Sequence, residues 1–91
     1  MKFAWNPDKA KINLRKHDVS FSEASTVFDD DLATTFPDPE HSIGESRYVM
    51  IGVSGVGNLL VVSHTDRDGV TRIISARIAN RSERRFYEQG F

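Results

Sequence analysis

The sequence predicts an α+β domain in which two N-terminal helices and a C-terminal helix pack on an antiparallel β-sheet, and three observations predict it. Two capped helical segments occupy the first third of the chain, three β-rich runs separated by Gly-containing turns follow, and a third capping pattern closes it. At 91 residues, 38% of them hydrophobic and 27% charged, the chain is expected to be one domain, 1–91, with a single modest core.

The elements follow in order. Lys2 to Trp5 is a short apolar opening, and Asn6-Pro7-Asp8 supplies a capping side chain, a proline at the first helical position and an acid near the positive end of the dipole. Ala10, Asn13, Leu14 and His17 then recur at helical spacing, so His17 ends the first helix on its core-facing side. Ser20-Phe21-Ser22-Glu23 has the form of a capping box, which starts a second helix through Ala24, Val27 and Phe28. Asp29-Asp30-Asp31 opposes the dipole at a helix C-terminus and ends it. Ala33 to Phe36 suits a short strand, and Pro37 to Gly44 a loop. Arg47–Val53, Leu59–Thr65 and Val70–Arg77 predict an antiparallel meander, and Asn80-Arg81-Ser82-Glu83 caps a last helix carrying Arg84, Arg85, Phe86 and Tyr87. With the helices on one face of the sheet, the other face is expected to be polar and open. Strict alternation along the last strand puts Arg72 on one face and Arg77 on the other.

Composition excludes several chemistries. Without cysteine there is no disulfide framework and no thiolate metal site, and the expected compartment is the cytoplasm. The longest apolar run, Leu59 to Val62, is far below the ~20 residues of a membrane span, so no membrane association is expected. His17, His41 and His64 are not paired at ligand spacing, which predicts no metal and no cofactor. Gly52-Val53-Ser54-Gly55 misses the nucleophile-elbow spacing by a residue.

Charge is segregated beneath a net value of −1: residues 1–17 carry +4, residues 18–46 carry −8, and residues 47–87 carry +4 with arginine and no lysine. Basic groups distant in sequence can converge on one phosphate-binding surface, and guanidinium grips phosphate bidentately; solvated faces are the simpler alternative. Cleaving RNA without a metal requires a proton acceptor for the 2′-OH, a donor for the leaving oxygen and cations around the phosphorane. Lys16-His17, Arg47, Arg67, Arg72, Arg77 and the Arg81/Arg84/Arg85 group supply that inventory. His17 suits the general base, as imidazole exchanges protons near neutral pH, although it equally suits helix capping or core packing.

Taken together, Phe3-x-Trp5-Asn6-Pro7-x-Lys9, Asn13-Leu14-x-Lys16-His17, Val19-Ser20-Phe21-x-Glu23-Ala24, Val27-Phe28-x-Asp30, Glu45-x-Arg47-Tyr48-x-x-Ile51-Gly52, Leu60-Val61-Val62, Arg67, Arg72-Ile73-Ile74-Ser75-Ala76-Arg77 and Glu83-Arg84-x-x-Tyr87-Glu88 closely resemble the BrnT family of toxins across nearly the whole chain. The resemblance implies a RelE-like fold and a metal-independent endoribonuclease that restrains translation. It also implies a BrnA-type antitoxin partner, with operator DNA bound only through the antitoxin complex. Carried over by position, Lys16, His17, Arg47, Arg67 and Arg77 become catalytic candidates, and Arg72, Arg81, Arg84 and Arg85 RNA-binding ones. Trp5, Asn13 and Ile73-Ile74 become structural positions. Members commonly place Gly after Lys-His, where Asp18 stands here; its charge beside His17 predicts an ion pair or a raised imidazole pKa.

A second reading, a catalytically weak interaction module, has the basic face holding acidic side chains of a partner. An antitoxin segment is expected over the open sheet face or along its edge, with Phe86, Tyr87 or Phe91 as aromatic anchors. Direct DNA binding by this chain alone finds no helix-turn-helix glycine turn to support it.

Overall fold

The structure, a computed structural model, describes residues 1–89; Phe91 lies outside the described residues. Its elements are β1 (Lys2–Ala4), α1 (Pro7–His17), α2 (Phe21–Thr26) running into a 3-10 turn Val27–Asp29, β2 (Thr34–Pro37), a 3-10 turn Pro39–His41, β3 (Arg47–Val53), β4 (Leu59–Arg67), β5 (Val70–Ile78) and α3 (Arg81–Glu88). The strands form one sheet in the order β1-β5-β4-β3-β2. Strands β2 to β5 pair antiparallel as expected, but β1 pairs parallel with β5, so the sheet is mixed. The intervening α1 and α2 carry the chain far enough for a parallel return.

Asn6 caps α1, its Oδ1 accepting from the N–H groups of Asp8 (2.9 Å) and Lys9 (3.1 Å). Asp18 stops the helix in the left-handed conformation (φ 57°), its N–H donating to Leu14 O, so an aspartate here does what glycine does more easily. No ion pair joins it to His17 among the described residues. At α2 only half of the expected capping box forms. Ser20 Oγ accepts from Glu23 N–H, whereas the Glu23 carboxylate turns away to accept from Ser54 Oγ (2.7 Å) and Asn58 Nδ2 (2.8 Å), latching the β3–β4 hairpin to α2. The α3 box is complete.

Along β4, Leu59, Leu60, Val61 and Val62 are all buried, because the sheet is covered on both sides. Leu60 and Val62 join Val19, Phe21, Ala24, Val27, Ile73 and Ala76 in the main core under α1 and α2. Leu59 and Val61 join Ile51 in a smaller cluster on the opposite face, against which Phe36, Phe86 and Tyr87 pack. The opposite face is therefore not fully open. Helix α3 docks on part of it, with the Phe86 ring 5.1 Å from that of Phe36. Tyr87 Oη donates to Asp30 Oδ2 at 2.6 Å, which together with its burial pushes the phenol up to about 12. Burial alone would raise the Asp30 carboxyl, but bonds from Tyr87 and from the N–H groups of Val53 and Leu32 hold it below its ordinary value.

Asn13 is the one polar side chain of α1 that is buried. Beyond the short β1, the edge of β5 has no strand partner among the described residues, and the Asn13 amide takes that place: its Nδ2 donates to Ala76 O (2.8 Å) and Val19 O (3.0 Å), and its Oδ1 accepts from Ala76 N–H (3.1 Å). Gly52 is needed for close approach, since a Cβ there would lie 2.8 Å from both Ala33 Cβ and Val27 Cγ1.

Candidate functional site

Beside α3, on the sheet face away from α1 and α2, lies a groove of about 390 Å³ lined by Phe36, Pro37, Asp38, Val49, Val61, Ser63, Ser75, Arg77 and Glu83. Which arginines reach this face is decided by one irregularity. Opposite Ser63 and His64, β5 pairs through Ser75 and Ile73 and leaves Ile74 out of register. The bulge shifts the phase of alternation by one residue. Arg72 (paired with Thr65), Ser75 (with Ser63) and Arg77 (with Val61) therefore share one face, which corrects the expectation that Arg72 and Arg77 point to opposite sides. Arg47, also paired with Thr65, belongs to the same face. Arg47 and Arg72 thus flank Thr65 on one rung, about 10 Å apart at the backbone. Both are half-buried, and the Thr65 hydroxyl between them is buried without a hydrogen-bond partner among the described residues.

The arginines of this face differ in what already holds them. Arg77 is gripped in a fork by Glu83, Nη1 to Oε1 and Nη2 to Oε2, both at 2.7 Å. That fork, against the cost of burial and with help from Asn80 N–H, holds the Glu83 carboxyl below its usual range. Arg67, exposed at the end of β4, donates to Glu45 at 2.6 Å, a bond that raises its pKa further. Arg47 and Arg72 make no ion pair among the described residues. Arg81, Arg84 and Arg85 are exposed along α3.

Lys16 and His17 are placed elsewhere. They line a second groove, with Lys9, Ile12, Asn13, Ile74 and Ser75, between the end of α1 and the free edge of β5. Ser75 borders both grooves, but α1 covers the opposite face of the sheet from Arg47, Arg72 and Arg77. The structure therefore puts Arg47, Arg72 and Arg77 on one face of the sheet and keeps Lys16-His17 apart from them.

A pair that sequence reasoning did not single out stands at the groove instead. Asp38 lines it, and His41 Nδ1 lies 2.9 Å from Asp38 Oδ2. The i, i+3 spacing across Pro39 was the available signal, hidden by the reading of 37–44 as plain loop. Among the described residues no three His, Asp or Glu side chains come together as metal ligands.

The family model for the ribonuclease toxin BrnT of type II toxin–antitoxin systems matches residues 5–83. The chain belongs to the BrnT family. The BrnT match runs from Trp5 to Glu83, so it includes Arg47, Arg67, Arg72 and Arg77 and stops short of Arg84 and Arg85. The crystal structure of the Brucella abortus ribonuclease toxin BrnT superposes with a TM-score of 0.70 at 23% identity, covering 89% of this chain and 99% of that one. The two share the BrnT fold. No curated protein sequence matches the chain.

Proposed function

We propose that this BrnT chain is a RelE-like endoribonuclease that cuts RNA in the groove beside α3, by attack of a 2′-OH on the adjacent phosphate, without a metal. The observation that carries the reading is the bulge at Ile74, which phases Arg72 and Arg77 onto the face of Arg47. Among the described residues two of these three forks hold no carboxylate, and half-buried guanidinium groups in that state suit a phosphate and the charge it develops in the phosphorane. The apolar floor of Phe36, Val49 and Val61 offers a surface for a base, and Arg81, Arg84 and Arg85 extend positive charge for the flanking backbone. Cleavage of this kind restrains translation, and a BrnA-type antitoxin in the cytoplasm holds it in check, with operator DNA reached only through the toxin–antitoxin complex.

Purified protein is expected to cleave RNA equally well in EDTA, leaving 2′,3′-cyclic phosphate ends. RNA methylated at the scissile 2′ oxygen is expected to bind and resist cutting. Efficient cleavage of the methylated strand overturns the mechanism, and loss of cleavage in EDTA overturns metal independence.

One observation favours the second reading, an interaction module. Arg77 and Arg67 already grip carboxylates of this chain, so the same face fits acidic side chains of a partner. That reading predicts antitoxin binding to the face with no RNA cleavage by the free protein.

A further inference from the structure

We infer that His41 is the proton acceptor for the 2′-OH in this groove and that Asp38 positions it; the inference rests on the ribonuclease reading above. Asp38 N–H donates to Arg47 O at 2.8 Å, which sets Asp38 beside Arg47 at the end of the rung that continues through Thr65 to Arg72. The turn that follows is fastened at several points. Ser42 Oγ donates to Asp38 O at 2.7 Å and accepts from Arg47 N–H at 2.9 Å, and His41 N–H donates to Asp38 O. A short segment tied in this way holds its side chains in a fixed place against β3.

The chemistry of the pair follows from its geometry. An ionised carboxylate only accepts, so in the neutral ring the 2.9 Å contact to Asp38 Oδ2 favours the tautomer with its proton on Nδ1 and its lone pair on Nε2. That is the tautomer a general base requires. The His41 side chain is 59% exposed, so an RNA strand can reach it. His17, by contrast, opens on the other groove, and among the described residues no carboxylate holds its ring. Among the described residues, the imidazole held by Asp38 stands beside the rung of Arg47 and Arg72, whose guanidinium groups make no ion pair.

In the step, the 2′ O–H bond breaks and its proton passes to Nε2 while O2′ bonds to phosphorus and the P–O5′ bond breaks. The leaving 5′ oxygen takes a proton from water, and the hydroxide so formed takes the proton back from the imidazolium. The products are a 2′,3′-cyclic phosphate and a 5′-hydroxyl, and the protein is unchanged.

The test compares wild type, His41→Ala, Asp38→Asn and His17→Ala in RNA cleavage, with and without added imidazole, beside binding of 2′-O-methyl RNA. His41→Ala is expected to lose cleavage on the order of 10²-fold, to recover part of it in imidazole, and to bind the methylated RNA as wild type does. Asp38→Asn is expected to lose about tenfold, and His17→Ala to remain within about twofold, in keeping with an orienting role for one and none in proton transfer for the other. Cleavage by His41→Ala at the wild-type rate, or a loss that imidazole does not restore, overturns the assignment while leaving the ribonuclease reading intact. If wild type itself does not cut RNA, it is that reading which fails.

Discussion

The two faces of the sheet are built from alternate residues of the same strands, yet they do different work. Under α1 and α2, Leu60, Val62, Ile73 and Ala76 meet Phe21 and Ala24 in a dry core, and the polar groups admitted are satisfied by geometry, as at Asn13. On the other face, α3 covers only the part nearest Ile51, Leu59 and Val61, and the remainder carries Arg47, Ser63, Arg72, Ser75 and Arg77. The face sealed by two helices holds the fold, and the face half-sealed by one is where we propose the chemistry lies.

The largest effect is expected on the sealed face. Asn13→Leu removes the amide that pairs the β5 edge and leaves Ala76 N–H, Ala76 O and Val19 O without it, a loss on the order of 3 kcal/mol. Urea unfolding measures it, and the variant's cleavage per folded molecule is expected to match wild type.

On the half-sealed face the signs reverse. Arg47→Ala and Arg72→Ala are each expected to slow RNA cleavage on the order of 10²-fold, with lysine restoring little because an ammonium lacks the fork. Unfolding free energies are expected to change by less than about 1 kcal/mol. Arg67→Ala, exposed and held by Glu45, is expected to fall less in rate. A stability loss at Arg72 matching that at Asn13 would erase the contrast between the faces.

Smaller is the tie that docks α3. Tyr87→Phe keeps the ring in its cluster and removes the bond to Asp30, at a cost of about 1 kcal/mol in unfolding experiments. The smallest effect is one of pH. Burial against Phe28 and Tyr48 pushes the His64 imidazole below its ordinary value, a shift that Asp66 and the Val62 backbone only partly offset. The unfolded chain then binds a proton that the folded chain refuses, so stability is expected to fall as pH drops below about 6.5 toward the folded value. His64→Gln is expected to flatten that dependence in thermal melts taken between pH 7.5 and 5.

Much of this was legible in the sequence because it is local. Asn6 before Pro7, Ser20 at the second helix and Asn80 three residues before Glu83 each mark a helix start, and β-rich runs broken at Ser54–Asn58 and Asp66–Gly69 mark the hairpins. What was not legible is long-range. The parallel pairing of β1 depends on where α1 and α2 return the chain. The docking of Phe86 and Tyr87 on the second face depends on Phe36 and Asp30, some fifty residues earlier. The Ile74 bulge is invisible to a period-2 count, and it alone moves Arg72 and Arg77 onto one face. Lys16 and His17 share the cationic and proton-transfer chemistry that the arginine face needs, but α1 carries them to a separate groove at the edge of β5.

Whether RNA lies on the half-sealed face is tested most directly by an NMR titration of the labelled protein with a short 2′-O-methyl RNA that it cannot cut. Amide and guanidinium shifts are expected at Arg47, Val49, Ser63, Arg72 and Arg77, with Lys9, Lys16 and His17 unmoved. Shifts concentrated on Lys16, His17 and Ile74, with the arginine face silent, would contradict that placement of the RNA.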